Sequence, residues 1–313
     1  MSYILRRLVS MAVTLFFITI ITFGLTNILP GDVALMIMGT NASDVALEQM
    51  RQSLGLNDPL ILQYGRWILG MLSGDWGVSL VFKQEIGPLL LQKITASALI
   101  VVMSMTIALS LAIPLGVWAA VYRNRWQDTA SSTTALIGVS LPDFFWGIML
   151  ILLFSRGLGW LPSSGFVSPQ EDFFGAIRHA FLPSLALGLG LMAHLTRMTR
   201  ATMTGILNQE FIRVARAKGL GERVVIWRYA LANAIGPVIT VAGLQVGYLF
   251  GSIIVVESLF NYTGMGWLTY QALLNRDIPL IQATLFVIAA FVMLANLVVD
   301  LLYPIFDPRI RLT

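Results

Sequence analysis

The sequence contains no cysteine and only two histidines, His179 and His194, among its 313 residues. Without cysteine, the chain has neither a disulfide framework nor a thiolate nucleophile or thiolate metal site. The two histidines lie fifteen residues apart, at opposite levels of one apolar stretch, so they cannot form a metal cage by themselves. These absences predict a chain that holds no metal of its own.

Two kinds of enzyme site are missing as well. No Gly-rich phosphate loop followed by Lys and Ser or Thr occurs, so the chain cannot hydrolyse ATP by that chemistry. A membrane-embedded enzyme would need an acid, base, nucleophile or metal set near one interface, and no such grouping is evident. We therefore predict that the chain is not an enzyme and binds no cofactor.

Charge is scarce and apolar residues are abundant. Only 12% of the residues are charged, against about 25% in soluble domains, while 57% are hydrophobic. A helix that crosses the ~30 Å hydrocarbon core of a bilayer needs about 20 mostly apolar residues. Six stretches qualify: 8–29, 95–121, 131–155, 180–203, 235–256 and 280–303. The sequence predicts an all-α polytopic membrane protein with about six transmembrane helices, forming a single transmembrane domain over residues 1–313.

The basic residues indicate how the chain is oriented. The net charge is +4, but Lys and Arg are spread over loops rather than gathered in a patch, which favours the lipid bilayer over nucleic acid as the partner. Thirteen of the twenty fall on one side of the predicted spans: Arg6, Arg7, Arg123, Arg125, Arg197, Arg200, Arg213, Arg216, Lys218, Arg223, Arg228, Arg309 and Arg311. By the positive-inside rule, both termini are expected in the cytoplasm.

Residues 30–94 then form an extracytoplasmic loop region that is too long for a simple connection. Asp44 to Leu54 has a helix-like pattern, with Ser43 as a candidate N-cap and Gly55 as a stop signal. Pro59 to Leu72 is consistent with a second helix that lies at the membrane interface. We expect short helices in this region.

A cytoplasmic segment around residues 208–219 has a strong helix pattern. Asn208 is a candidate N-cap, and Gly219 can adopt the left-handed conformation that ends a helix. Phe211, Val214 and Ala215 share one face, which something must cover. Two interpretations stay open on physical grounds alone: a helix on the membrane surface, or a docking element for a soluble partner.

This segment resembles the EAA loop of ABC importer permeases, in the form found in the dipeptide, oligopeptide and nickel family. Ala-Arg-Ala-Lys-Gly stands at 215–219, while Arg213, Val214 and Ala232 depart from the general pattern in a way that fits this subfamily. The resemblance implies a coupling loop over 204–234 that docks into an ATPase subunit. Its expected contacts are Glu210, Phe211, Arg213, Val214, Ala215, Arg216, Lys218 and Gly219.

Other segments resemble the same family and spread over most of the chain. They are Leu29 to Asp32, Gly74 to Ser79, Trp160 to Pro162, Val256 to Gly266, Arg276 to Pro279 and Asp307 to Arg311. Together they resemble the B-type subunit, although Thr263 replaces a usual proline. The resemblance implies a type I ABC importer permease (MetI-like) fold in the bacterial inner membrane.

The same resemblance implies partners and a range of cargo. The partners would be a second homologous permease, two ATPase subunits that bind ATP and Mg, and an extracytoplasmic solute-binding protein. The cargo would be a peptide or a similar small solute, with chelated nickel, glutathione or an oligosaccharide as alternatives. An ion-coupled secondary transporter is the rival class, but it usually carries coupling carboxylates and an internal repeat, and no repeat is evident.

Several membrane residues are candidates for helix packing or for the solute pathway. Gly243, Gly247 and Gly251 repeat every four residues and predict a close helix contact. The pathway candidates are Asp143, Gln245, Ser252 and Glu257. Asp143 directly follows Pro142, and a carboxylate in a span should face protein or water, so a pathway role and a structural role both stay open. Asp300 is expected to be an interfacial anchor, with Asn296 one turn away.

Overall fold

The computed structural model describes residues 3–28, 33–39 and 42–306, and most of them are helical. The helices are α1 (Tyr3–Ile28), α2 (Val33–Met38), α3 (Asp44–Ser53), α4 (Leu60–Ser73), α5 (Ile86–Val121), α6 (Trp126–Ser140), α7 (Asp143–Leu150), α8 (Phe173–Leu207), α9 (Glu210–Ala217), α10 (Glu222–Val224), α11 (Leu231–Leu259), α12 (Met265–Leu274) and α13 (Ile278–Phe306). Two π-helical segments, Ile151–Gly157 and Val225–Ala230, follow α7 and α10. An isolated bridge between Val78 and Glu85 is the only β pairing in the described part, so the all-α prediction is confirmed there.

Three sequence predictions fall partly or wholly beyond this part of the chain. The segments Leu29 to Asp32 and Asp307 to Arg311 lie outside the described residues. The side chain of Asp300 is also outside them, although its backbone belongs to α13. The predicted anchoring role of Asp300 therefore stays a prediction.

Five described helices are long and apolar enough to cross a membrane. They are Leu5–Ile28, Ile86–Val121, Phe173–Leu207, Glu222–Leu259 and Ile278–Val298. All but the first and last extend well beyond the apolar stretch that predicted them. Hydropathy detects only the lipid-facing length, whereas backbone hydrogen bonding continues the helix into the more polar flanks.

The remaining predicted span, 131–155, which is the third along the chain, is divided into two helices. The axes of Trp126–Ser140 and Asp143–Gly157 differ by 101° across a short break. Pro142 has no N–H to donate, and Leu141 before it is extended at φ −107° and ψ 134°, as a residue preceding proline prefers. Asp143, expected near the middle of a span, is instead the first residue of α7.

The described residues form two compact units, and the prediction of a single transmembrane domain stays a prediction. One unit comprises the described residues within 1–96 and 264–293. Its core joins side chains at the start of α5 to those of α12 and α13. Buried Asp277 accepts hydrogen bonds from Ser79 Oγ at 2.6 Å and from the Val81 N–H at 3.1 Å. Its other oxygen accepts from the Leu280 N–H at 3.2 Å, which caps the first turn of α13.

In the same unit, helices form at both positions predicted within residues 30–94, while their extracytoplasmic location stays a prediction. Ser43 caps α3, because its side chain accepts a hydrogen bond from the Ala46 N–H at 3.3 Å. Gly55 has φ +65° and lies just past the end of this helix. The second helix, α4, begins directly after Pro59.

The other unit comprises the described residues within 97–263 and 294–306. Its central element is α8, which packs against α6, α7 and α11. Helix α6 approaches α8 closely at Gly138, where an added Cβ would lie 2.9 Å from the Leu189 carbonyl oxygen. Asp128 and Arg200 form a bidentate ion pair between the same two helices, at 2.5 and 2.8 Å. Neither partner of this pair was predicted from the sequence.

Candidate functional site

The predicted coupling segment forms a separate short helix, α9, at the end of α8. Its N-cap is Gln209, without a side-chain hydrogen bond, so the prediction that Asn208 caps it was wrong. The Asn208 amide instead donates to the Thr204 carbonyl at 2.9 Å. It does so because α8 runs to Leu207 and leaves its last carbonyls without helical partners. Gly219 has φ +79° just after α9, as predicted.

The buried face of α9 differs from the face that periodicity indicated. Ile212 and Ala215 are buried in a cluster with side chains of α5 and α8, including Met203. Phe211 and Val214 are 38% and 45% exposed. The pattern contains two overlapping apolar stripes that share Ala215, and packing within the chain covers the stripe that includes Ile212. We call the exposed set of Phe211, Val214 and Lys218 the α9 outer face; Arg213 is exposed on the far side of the helix.

The charges of α9 are arranged around this face. Arg213 bonds Glu210 at 3.3 Å, and both side chains are largely exposed. Arg216 bonds Glu222 through two nitrogens, at 2.6 and 3.1 Å, and this carboxylate raises the pKa of Arg216. The Arg216–Glu222 pair holds α9 to the start of α10. The α9 outer face therefore presents apolar groups beside positive charge, as a protein docking surface does.

Within the membrane-spanning helices, the structure brings two predicted pathway residues together through a third. The buried carboxylate of Asp143 accepts a hydrogen bond from Tyr248 Oη at 2.9 Å. Ser252, one turn further along α11, also interacts with the Tyr248 hydroxyl. Gly190 of α8 provides room for the carboxylate, since an added Cβ would lie 2.6 Å from Asp143 Oδ1. Tyr248 was missed, although a tyrosine within a span needs a partner for its hydroxyl.

The other two pathway candidates do not join this group. Gln245 is partly buried on α11. Glu257 is fully buried and accepts a hydrogen bond from Ser97 Oγ at 2.5 Å. At 1.5 Å per residue, Glu257 lies about 14 Å along the helix from Tyr248. Burial, with the Glu257 charge as a second cause, raises the pKa of nearby Tyr262.

The predicted glycine stripe on α11 is covered unevenly. Gly243 is buried, Gly247 is partly buried and Gly251 is exposed. A Cβ added at Gly251 would have no atom within 4 Å. Gly190 is one glycine of this unit at which an added Cβ would meet a close neighbour, and the packing role of the stripe stays a prediction.

The unit that contains α1 to α4 has a cleft of about 620 Å³, within the size range of small-ligand sites. Its lining includes Phe23, Arg51, Arg66, Trp67, Trp76 and Gln282. Arg66 is held by Asp58 and by the Gly55 carbonyl. The family-like segments 74–79 and 276–279 both line the cleft, and the Asp277–Ser79 bond joins them. Among the described residues, no group of three or more His, Cys, Asp or Glu could hold a metal.

Comparison with known protein families gives two matches. Residues 112–312 match the family described as binding-protein-dependent transport system inner membrane component. Residues 1–81 match the N-terminal component of the same kind of transport protein. The two matches together cover the predicted coupling segment, the Asp143 group and the short helices α2, α3 and α4.

Curated relatives match over nearly the whole chain. The glutathione transport system permease protein GsiC of Escherichia coli (strain K12) is 39% identical over 311 residues, which is 99% of both chains. The protein of the same name from Shigella flexneri serotype 5b (strain 8401) has the same identity and coverage.

Among solved structures, the chain resembles the MetNI methionine ABC transporter in an inward-facing conformation. The TM-score is 0.59 at 17% identity, and the match covers 70% of this chain and 96% of that one. At this identity the likeness supports the fold alone.

Proposed function

Since this chain belongs to the family of binding-protein-dependent transport system inner membrane components, we propose a particular assembly and cargo for it. The chain is the permease subunit of an ABC importer that moves a peptide or similar small solute across the bacterial inner membrane. It works with a second homologous permease, two ATPase subunits and an extracytoplasmic solute-binding protein. ATP and Mg²⁺ bind to the ATPase subunits, which supply the energy.

The α9 outer face is the docking element for an ATPase subunit. The observation that supports this most is the division of α9 into two apolar sides: Ile212 and Ala215 fasten it to the chain, while Phe211 and Val214 stay uncovered. Charge alone would also suit an anionic membrane surface; membership of a transport-system family is what favours a soluble protein as the cover. Lys218 suits a carboxylate at the rim of the contact.

Co-purification of the ATPase subunits with Phe211→Ala tests this docking. Removal of a large apolar anchor from an interface centre costs about 2 kcal/mol, which corresponds to a roughly thirtyfold weaker association. Cargo-stimulated ATP hydrolysis in proteoliposomes should fall in parallel. Leu72→Ala is the matched control, because Leu72 is 80% exposed on α4. Full association and full coupling of the Phe211 variant would contradict the docking.

The proposed cargo is glutathione or another small peptide with a free amino group. This follows from the relatives whose names specify glutathione transport and which match 99% of the chain. Calorimetry on the solute-binding protein encoded beside this chain tests it, with glutathione, a dipeptide, chelated nickel and an oligosaccharide as ligands. Binding of glutathione or the dipeptide is expected. If only the nickel chelate or only the sugar binds, the proposal of a peptide cargo is wrong.

Both termini lie in the cytoplasm in this assembly, with Ser164 outside and Gly221 inside. The chain has no cysteine, so single cysteines at these two exposed positions report their side directly. In intact spheroplasts, an impermeant maleimide should label Ser164→Cys and leave Gly221→Cys unlabelled until the membrane is opened. The reverse pattern would invert the topology.

A further inference from the structure

The carboxylate of Asp143 differs from that of Asp128, another acid in the membrane-spanning helices. Asp128 is neutralised by Arg200 through two short bonds. In the part of the chain that the structure describes, Asp143 forms no ion pair, and its carboxylate accepts a hydrogen bond from the Tyr248 hydroxyl. A buried carboxylate without a cation is unfavourable in a bilayer and is commonly retained for function.

The surroundings of Asp143 leave one side that can open. Gly190 of α8 closes one side without a side chain, because any Cβ there would collide with the carboxylate. On the other side, Tyr248 is 49% exposed, so rotation of its side chain uncovers the carboxylate. A Cβ added at Gly251, three residues further along α11, would have no atom within 4 Å. The tyrosine thus covers the acid and is itself only half enclosed by the chain.

We propose that Asp143 is a transient binding site for the protonated amino group of the cargo, and that Tyr248 covers this site when it is empty. The inference rests on the proposed function, since it concerns the pathway of a permease for amino-bearing solutes. An α-amino group is mostly protonated at neutral pH, and its attraction to a carboxylate is stronger where water is scarce. The Tyr248 hydroxyl competes for the carboxylate, which keeps the binding weak enough for release.

Two variants separate this role from a structural one. Asp143→Asn keeps the shape and a hydrogen-bond acceptor for Tyr248 but removes the charge. It should raise the KM for uptake of a free-amino peptide about tenfold. Tyr248→Phe keeps the ring but removes the competing donor, so it should lower both KM and kcat. A purely structural link predicts that both variants impair transport in the same direction.

The assay uses the whole complex in proteoliposomes, with the solute-binding protein added. The probes are glutathione and Ala-Ala, each free and N-acetylated, and the readout is the ratio of the variant's KM to that of the wild type for each probe. This ratio cancels the preference of the solute-binding protein. For Asp143→Asn, this ratio should rise about tenfold for the free-amino probes and stay within about twofold of one for the acetylated probes. Glu171→Gln is the control, since it removes the same charge at an exposed position.

Several outcomes would contradict the proposal. Equal ratios for free and acetylated probes in Asp143→Asn would overturn it. If that variant fails to assemble, Tyr248→Phe decides, and an unchanged KM overturns the proposal. If the wild-type complex transports neither free peptide, the proposed cargo class fails and the inference fails with it. If the wild type transports them and both variants match it, the inference alone fails.

Discussion

Helices α4 and α9 both carry large apolar side chains that the chain leaves uncovered. On α4 these include Ile61, Leu69 and Leu72, with exposures of 78%, 67% and 80%. On α9 they are Phe211 and Val214. The two helices differ in charge, since one of fourteen residues of α4 is charged against three of eight in α9.

The two helices also differ in what they pack against. Helix α4 lies against the first span, where Tyr64 bonds Thr19 at 2.8 Å and Trp67 stacks near Phe23 at 5.9 Å. Its uncovered apolar groups suit lipid at the membrane interface. Helix α9 follows the end of a span, is flanked by positive charge, and lies in the part of the chain that matches the transport-system family. Exposure alone therefore does not identify a docking surface, and the family match is what favours a protein partner for α9.

The largest expected effect is the difference in stability between Ile212→Ala, on the buried side of α9, and Phe211→Ala, on its exposed side. Ile212 is fully buried, and truncation leaves a cavity that should lower the free energy of unfolding by about 2 to 5 kcal/mol. Phe211→Ala should lower it by only about 1 kcal/mol, because the Phe211 side chain is 38% exposed and Ile212 is fully buried. Chemical unfolding of the permease in detergent, followed by tryptophan fluorescence, measures both. Similar losses for the two variants would mean that α9 has no distinct outer face.

The glycines that end the short helices sharpen the comparison further. Gly219 and Gly55 both have positive φ, where a Cβ costs about 1 to 2 kcal/mol. At Gly55 the Cβ would also overlap the Arg66 guanidinium and break its bond to the Gly55 carbonyl, which adds about 1 kcal/mol. Chemical unfolding should therefore show a larger loss in the free energy of unfolding for Gly55→Ala than for Gly219→Ala.

Gly221→Ala is the control for both glycine variants, since Gly221 has φ −60° and open space around it. It should be neutral or slightly stabilising, because alanine restricts the unfolded chain. Losses of equal size at all three positions would show that backbone conformation is not what distinguishes them.

These cases indicate which features were accessible from sequence. Long apolar runs predicted the membrane helices, because the bilayer imposes a minimum length whatever the tertiary packing. The Ser43 cap and the positive φ of Gly55 and Gly219 were also predicted, since they depend on a few neighbouring residues. Such signals act within one turn of the helix end.

Contacts between distant residues were not accessible in the same way. Ser79 and Asp277 bond across 198 positions, and Tyr248 and Asp143 across 105. The choice of Ile212 over Phe211 as the buried residue depends on Met203 and other side chains of neighbouring helices. The 101° bend had a local cause in Pro142, but a proline in a span can also be accommodated by a kink.

The smallest expected effect concerns the two polar residues beside the short helices, Ser43 and Asn208. Ser43 accepts a hydrogen bond from the Ala46 N–H in the first turn of α3, so Ser43→Ala should destabilise this helix by about 1 kcal/mol. Asn208 caps nothing in α9 and donates to a carbonyl at the exposed end of α8, where water can replace it. Asn208→Ala should therefore cost only a few tenths of a kcal/mol. Hydrogen exchange of the first-turn amides separates the two directly: protection should fall at Ala46 in the serine variant and stay unchanged at Phe211, the equivalent position after Asn208, in the asparagine variant. Loss of protection at Phe211 in Asn208→Ala would restore Asn208 as the cap of α9.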